Sequence, residues 1–192
     1  MKSFTLLLLG TFAAPPFTWA QPAPPAISTA APYTPPTQDE RFKTYLRHTY
    51  GIATILEAGA RAGIQRLRDH PKQWPEGAQG YGERYGSAMG MVAVRGTTQY
   101  LVADLLREDL RYEQHRESKL QAALEDTFTA RRGSDGHRTI SIARLLGPIS
   151  GSVVATATWY PAGYGRREIA KEAGLTYGLV FVRNLIREMV RH

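Results

Sequence analysis

The chain has 192 residues, with 24 basic and 17 acidic side chains, a formal net charge of +7 and no cysteine. The absence of cysteine excludes thiol catalysis, thiolate zinc sites, iron–sulfur clusters and lipid attachment through an N-terminal cysteine. Arginine supplies most of the positive charge, and it is scattered from Arg41 to Arg191 with only Arg131–Arg132 and Arg166–Arg167 adjacent. That dispersal describes a basic surface, so no nucleic-acid partner is expected.

The N-terminal stretch MKSFTLLLLGTFAAPPFTWAQ has a positive Lys2, an apolar run over 4–14, and Thr18 and Ala20 at the −3 and −1 positions of a cleavage site. It reads as a secretory signal peptide over residues 1–20, cut between Ala20 and Gln21. The run is too short to span a bilayer. The expected location is therefore periplasmic or extracellular. There a basic protein meets anionic partners such as lipid head groups or cell-wall polymer. Residues 21–36, QPAPPAISTAAPYTPP, hold six prolines and predict an extended linker. Residues 37–192 are the right size for one domain.

Helix signals begin at Thr37. Thr37 and Glu40 form a capping box, with Asp39 also in the first turn. Phe42, Tyr45, Leu46, Ala53, Leu56, Ala60, Ile64 and Leu67 form a helical stripe, while Glu57 and Arg61 make an i,i+4 pair on another, surface face. The spacing predicts a helix over 38–69, bent near Gly51 and stopped by Pro71. A loop, HPKQWPEGAQG, precedes a second helix over 81–112 patterned by Leu101, Val102, Leu105, Leu106 and Leu110. A third is predicted over 118–131, with Leu120, Ala123, Leu124, Thr127 and Phe128 on one side. RRGSDGH reads as a turn. Beyond it, TISIARLLGPISGSVVATATWYP predicts a short helix, a break, and another helix opening at Pro148. TISIA and SGSVVATATWY also alternate like strands, so a hairpin is the competing reading. The last helix is predicted over 166–190. The fold class is thus all-α: a single compact bundle of five or six helices. Ser87–Leu106 contains Arg95 and Asp104, and Ile140–Tyr160 contains Arg144 and Pro148, so neither predicts a transmembrane span.

Gly82, Gly86 and Gly90 recur four residues apart in GYGERYGSAMG. Four residues turn about 400°, so the three share one face. Each costs a helix about 1 kcal/mol relative to alanine. The expected return is close helix packing against Gly59 and Gly63 on the first helix.

Motifs for chemistry are sparse. The five histidines make no His-Glu-x-x-His, and His115 between Glu113 and Glu117 has poor spacing for a metal. There is no Gly-x-Ser-x-Gly, no phosphate-binding loop and no dinucleotide fingerprint, so no metal or cofactor is expected. Glycan cleavage in a lysozyme-like helical fold needs a glutamate whose pKa is raised by burial. Glu57 and Glu83 are the candidates. For ligand binding, Trp74, Tyr81, Arg84 and Tyr85 cluster, and Trp159, Tyr160 and Tyr164 form a second aromatic group. Either group also suits the ends of a helical bundle.

The block Trp74 with Gly80–Gly90, then REDLRY, DTFTARRGSDGHRT, IARLLG and Trp159-Tyr160-Pro161, resembles in that order a bacterial family of exported helical proteins of unknown function. The family shares a Tyr-Gly-x-Arg-aromatic core and a Trp-Tyr-Pro motif. The resemblance covers residues 74–190. It implies an exported helical domain and supplies no catalytic residue. The reading favoured by these observations is an exported, non-catalytic, envelope-associated structural or binding protein. The alternatives are a glycan-cleaving enzyme and a membrane-associating oligomer with glycine-striped helices.

Overall fold

The computed structural model describes residues 33–112 and 118–190. The expected signal peptide and most of the linker lie outside the described residues, as does His115. Residues 33–192 form one compact unit, and it is largely all-α. Six helices are present among the described residues: α1 (Gln38–Tyr50), α2 (Ile52–Leu67), α3 (Gly77–Leu106), α4 (Lys119–Phe128), α5 (Ile142–Thr158) and α6 (Arg166–Val190). A small antiparallel sheet joins them, made of β1 (Glu108–Asp109), β2 (Thr129–Arg132) and β3 (His137–Ile140) in the order β1-β2-β3.

The helix boundaries follow local chemistry. The Thr37 hydroxyl accepts from the Glu40 amide while the Glu40 carboxylate accepts from the Thr37 amide, so the capping box forms as expected. The predicted bend at Gly51 is a full break with extended backbone between α1 and α2. Residues 33–36, expected to belong to the linker, instead pack on the sheet. Pro36 is buried, the Tyr33 hydroxyl donates to Asp109 Oδ2 at 3.1 Å, and Arg131 lies over the Tyr33 ring.

Three predicted elements differ. The second helix stops at Leu106, where Arg107 takes a left-handed conformation, and the chain then enters β1. A hairpin forms, but not between TISIA and SGSVVATATWY, since the latter is almost wholly within α5: the third predicted helix stops at Phe128, and β2 and β3 pair from Thr129 opposite Ile140 to Arg132 opposite His137. Gly133 and Gly136 supply the positive φ angles of their turn. The expected break at Pro148 does not occur, since α5 runs through it. Gly147 precedes the proline and has no Cβ for the proline ring to strike. β1 also fixes where α5 begins. The fully buried Glu108 carboxylate accepts from Ser141 Oγ at 2.6 Å and from the Ile142 and Ala143 amides at 3.0 and 3.2 Å. It therefore satisfies orphan donors at the positive end of the helix.

The packing inverts the apolar pattern. α2 buries Thr54, Glu57, Ala58, Arg61, Ala62 and Gln65, and exposes Leu56 and Leu67, the latter by 89%. α3 leaves Leu105 81% exposed, and α6 buries Glu172, Asn184 and Glu188 while exposing Ile186 and Met189. The buried apolar cluster is small: Met91, Ala155 and Tyr160, with Trp74 and Tyr164 against it. The rest of the buried set is mainly alanine, small hydroxyl residues and charged side chains, with Val92, Gln65 and Asn184. No helix of the described chain is long and apolar enough to cross a membrane.

The glycine seam also differs from expectation. A Cβ at Gly82, Gly86 or Gly63 would meet nothing within 4 Å, and one at Gly59 would meet only the Tyr81 hydroxyl. The stripe does not pack on Gly59 and Gly63. Close packing through glycine occurs elsewhere, at Gly151, whose Cβ would lie 2.7 Å from the Met91 carbonyl oxygen, and at Gly96 against Thr49. Gly151→Ala is therefore expected to destabilise the protein by about 1–3 kcal/mol. Gly86→Ala is expected to stabilise it by up to about 1 kcal/mol. Urea midpoints of the two variants separate these outcomes, and shifts in the same direction would contradict the assignment.

Candidate functional site

Three helices bring arginines, and a fourth brings a histidine, to one cavity. α1 ends just after His48, because Gly51 turns the chain and Thr54 Oγ1 ties the His48 carbonyl at 2.7 Å. α3 contributes Arg95 and Gln99, the first turn of α5 contributes Arg144, and α6 contributes Arg183 and Arg187 one turn apart. The enclosed space is about 50 Å3, room for a few water-sized groups. A wider basic opening of about 440 Å3, edged by Lys43, Arg47 and Arg111, shares His48, Tyr112 and Arg187 with it.

The charges are unevenly shared. Arg95 Nη1 donates to Glu57 Oε1 at 2.6 Å, and Arg183 Nη1 donates to Glu57 Oε2 at 3.0 Å, so two guanidinium groups divide one carboxylate. Arg144 donates to the backbone carbonyls of Asp126 and Leu110. Arg138 reaches the Asp126 carboxylate at 3.5 Å. Arg187 lies over the Tyr112 ring, 4.7 Å from its centroid. The Nε of Arg183 is buried with no hydrogen-bond partner.

This concentration of positive charge shifts the groups within it. His48 is held down to about 3, first by burial and then by Arg183, Arg187 and Arg144, so it stays neutral at physiological pH. Burial lowers Arg183 to about 10 against the pull of Glu57, with Arg95, Arg187 and Arg144 adding to the fall. Arg144 is also lowered, first by burial. An anion in the cavity relieves all three at once.

The sequence-predicted residues fall in other places. Burial alone would raise the Glu57 carboxyl, but Arg95 and Arg183 outweigh it and hold the group below the usual carboxylate range. An ionised Glu57 cannot serve as a general acid, which corrects that reading. Its expected surface pair with Arg61 is absent as well, because Arg61 bonds Glu172 and Thr176 in the interior. Glu83 is exposed, without the burial that raises a catalytic carboxyl, and its groove lining holds no second carboxylate. Arg84, expected to meet ligand, is fully buried. Its fork donates to the carbonyls of His70, Pro71, Pro75 and Gly80 at 3.0–3.1 Å and clamps the loop before α3. Tyr81 ties α3 to α2 through the Gly59 carbonyl at 3.3 Å, and Tyr85 is half-buried beside it. Trp74 contacts the Arg84 guanidinium and lines a separate groove with Trp159.

Sequence reasoning missed His48, Arg95, Arg144, Arg183 and Arg187. One local signal was legible, the i,i+4 spacing of Arg183 and Arg187 on a helix. Among the described residues, no three His, Asp or Glu side chains come together to hold a metal ion. Comparison of the chain with family models, with curated proteins and with solved structures finds no match.

The neutral His48 makes stability pH-dependent. In the unfolded chain histidine takes up a proton near pH 6.5, while the folded site refuses it down to about 3. The unfolded state then binds more protons in that window, so stability is complete above about pH 6.5 and falls as pH drops. Urea midpoints are expected to decline from pH 7 to pH 5 in the native protein and to decline less in His48→Gln. Glu57 adds its own loss as pH falls from the ordinary carboxylate range toward its lowered folded value. Identical pH profiles would contradict the assignment.

Proposed function

We propose that the protein is an exported, non-catalytic, envelope-associated binding protein that takes an anionic group in the arginine-lined cavity. One observation carries the reading: Arg95, Arg144, Arg183 and Arg187 converge from three helices on a space beside a neutral histidine, and one buried Arg183 donor still has no partner. Guanidinium forks suit the planar or tetrahedral oxygens of carboxylate and phosphate. The cavity matches a small oxyanion or one such group at the end of a larger ligand, and the basic opening leads to it. Phosphate on a lipid head group or cell-wall polymer meets that description. The signal-peptide pattern and the resemblance to exported helical proteins support the location.

The exterior supports association as well. Ile52, Leu56, Leu67, Leu101, Leu105 and Ile186 are exposed large apolar side chains, and such surfaces mark interaction sites. This favours attachment to a partner or a lipid surface over free diffusion.

The test is thermal unfolding in sodium phosphate against sodium chloride at matched ionic strength and pH 7. At a hundredfold excess over the Kd, phosphate is expected to add about 2.7 kcal/mol, or about 5–10 °C in Tm. Arg187→Gln, at a partly exposed position, and Arg144→Gln are expected to lose most of that gain. The gain is also expected to shrink as added salt screens the opening. Equal Tm values in phosphate and chloride would reject the reading. Fractionation of the native host, with and without high salt, tests the location.

A further inference from the structure

From the second groove of the fold, we infer a binding site for an alkylammonium cation, lined by Trp74, Glu83, Gly86, Ser87, Gly90 and Trp159. This site is independent of the arginine cavity. Its space is about 410 Å3 and open to solvent.

Both walls are anchored from behind. The indole of Trp159 donates from Nε1 to the buried Ser87 Oγ at 2.8 Å, and its ring edge lies 3.3 Å from where a Gly90 Cβ would stand. Trp74 has the Arg84 guanidinium 5.9 Å from its centroid and the Tyr160 ring packed edge-on at 5.5 Å. Arg84 is locked onto loop carbonyls and Tyr160 belongs to the apolar cluster, so the wall is fixed before any ligand arrives.

The floor is helix α3 without side chains. Gly90 is small because Trp159 covers it, but a Cβ at Gly86 would meet nothing within 4 Å. Packing gives no reason for glycine at 86. With no side chain at 86, the groove is lined there by bare backbone. Local rules broken without a packing gain are expected at functional positions.

Charge selects the occupant. The lining holds one carboxylate, Glu83, and no cationic side chain. Glu83 accepts a hydrogen bond from Gln79 at 3.1 Å and has no ion-pair partner among the described residues. Indole rings and a carboxylate are the elements that hold quaternary and N-alkyl ammonium groups, by cation–π attraction and by charge. The cation is a soluble alkylammonium or the ammonium end of a zwitterionic lipid head group, and the chemistry at the groove is the same.

Choline chloride, titrated into the full protein against sodium chloride at equal ionic strength, tests the site through tryptophan fluorescence. Saturable quenching with choline and none with sodium is expected. Glu83→Gln is expected to weaken binding about tenfold or more. Gly86→Leu fills the floor and is expected to abolish binding, with helix content and Tm at or above the native values because a Cβ there meets nothing within 4 Å and leucine favours a helix over glycine. Choline is expected to bind equally well in sodium phosphate and in sodium chloride at matched ionic strength, which separates this site from the anion cavity. Vesicles of phosphatidylcholine distinguish the sources: Gly86-dependent flotation with vesicles assigns the lipid head group, and choline binding without flotation assigns a soluble ligand. The inference is overturned if choline behaves as sodium does, or if Gly86→Leu binds it as tightly as the native protein.

Discussion

The structure depends on pairing charges that its helices turn inward. Glu57 on α2 holds Arg95 of α3 and Arg183 of α6, and Arg61 on α2 holds Glu172 of α6, joined there by Gln65. Glu108 of β1 holds the start of α5. Each of these contacts crosses between elements, so each also fixes a register. A buried pair contributes little over well-packed apolar residues, but removing one partner strands a charge and costs about 3–5 kcal/mol. Small residues follow from the same constraint. Ala58, Ala62, Ala88 and Ala155 are almost completely buried, and they let backbones come close enough for long polar side chains to reach one another.

The functional reading grows out of the unequal division of those pairs. At Glu172, one carboxylate serves Arg61 and is joined by Gln65 and His70. At Glu57, one carboxylate serves two arginines, and Arg144 nearby donates to the backbone carbonyls of Asp126 and Leu110. The surplus collects at the end of the bundle where His48 enters, and a histidine that would be half-protonated near pH 6.5 in water stays neutral there. The field is therefore a property of how four helices meet, which no segment of the chain carries by itself. Turning charge inward also leaves leucine and isoleucine outward, so the basic cavity and the apolar exterior have one origin.

That origin explains what was legible. The Thr37 cap, the Gly51 break, the stop before Pro71 and the span of α6 rest on residues within a few positions of one another, and they were readable. Periodicity also showed that α2 has two faces. It could not show which face is inward, because the polar face is buried only when Glu57 finds Arg183, 126 residues away, and Arg61 finds Glu172, 111 residues away. With the partners unknown, burying leucine was the better expectation, and it was reversed. The site was less legible than the fold for the same reason. Glu57 was picked out as a carboxylate with small neighbours in sequence, but its neighbours in space are arginines, which reverses its chemistry. Arg84 looked available because it adjoins aromatics, yet three loop carbonyls and that of Gly80 in α3 already claim its donors.

The glycines show how one pattern carries two meanings. Gly96, Gly147 and Gly151 each have a neighbour that a Cβ would strike, so their cost in helix propensity is offset by contact between helices. Gly82 and Gly86 carry the same cost with open space above them. Spacing alone cannot separate the two kinds, since glycines four apart share a face whether that face meets a helix or a solvent groove. What separates them is whether the surroundings are held open. Beside Gly86 they are, because Trp159 is pinned to Ser87 and Trp74 is braced by Arg84 and Tyr160. The buried arginine clamp that cannot itself meet a ligand thus gives the groove one of its walls.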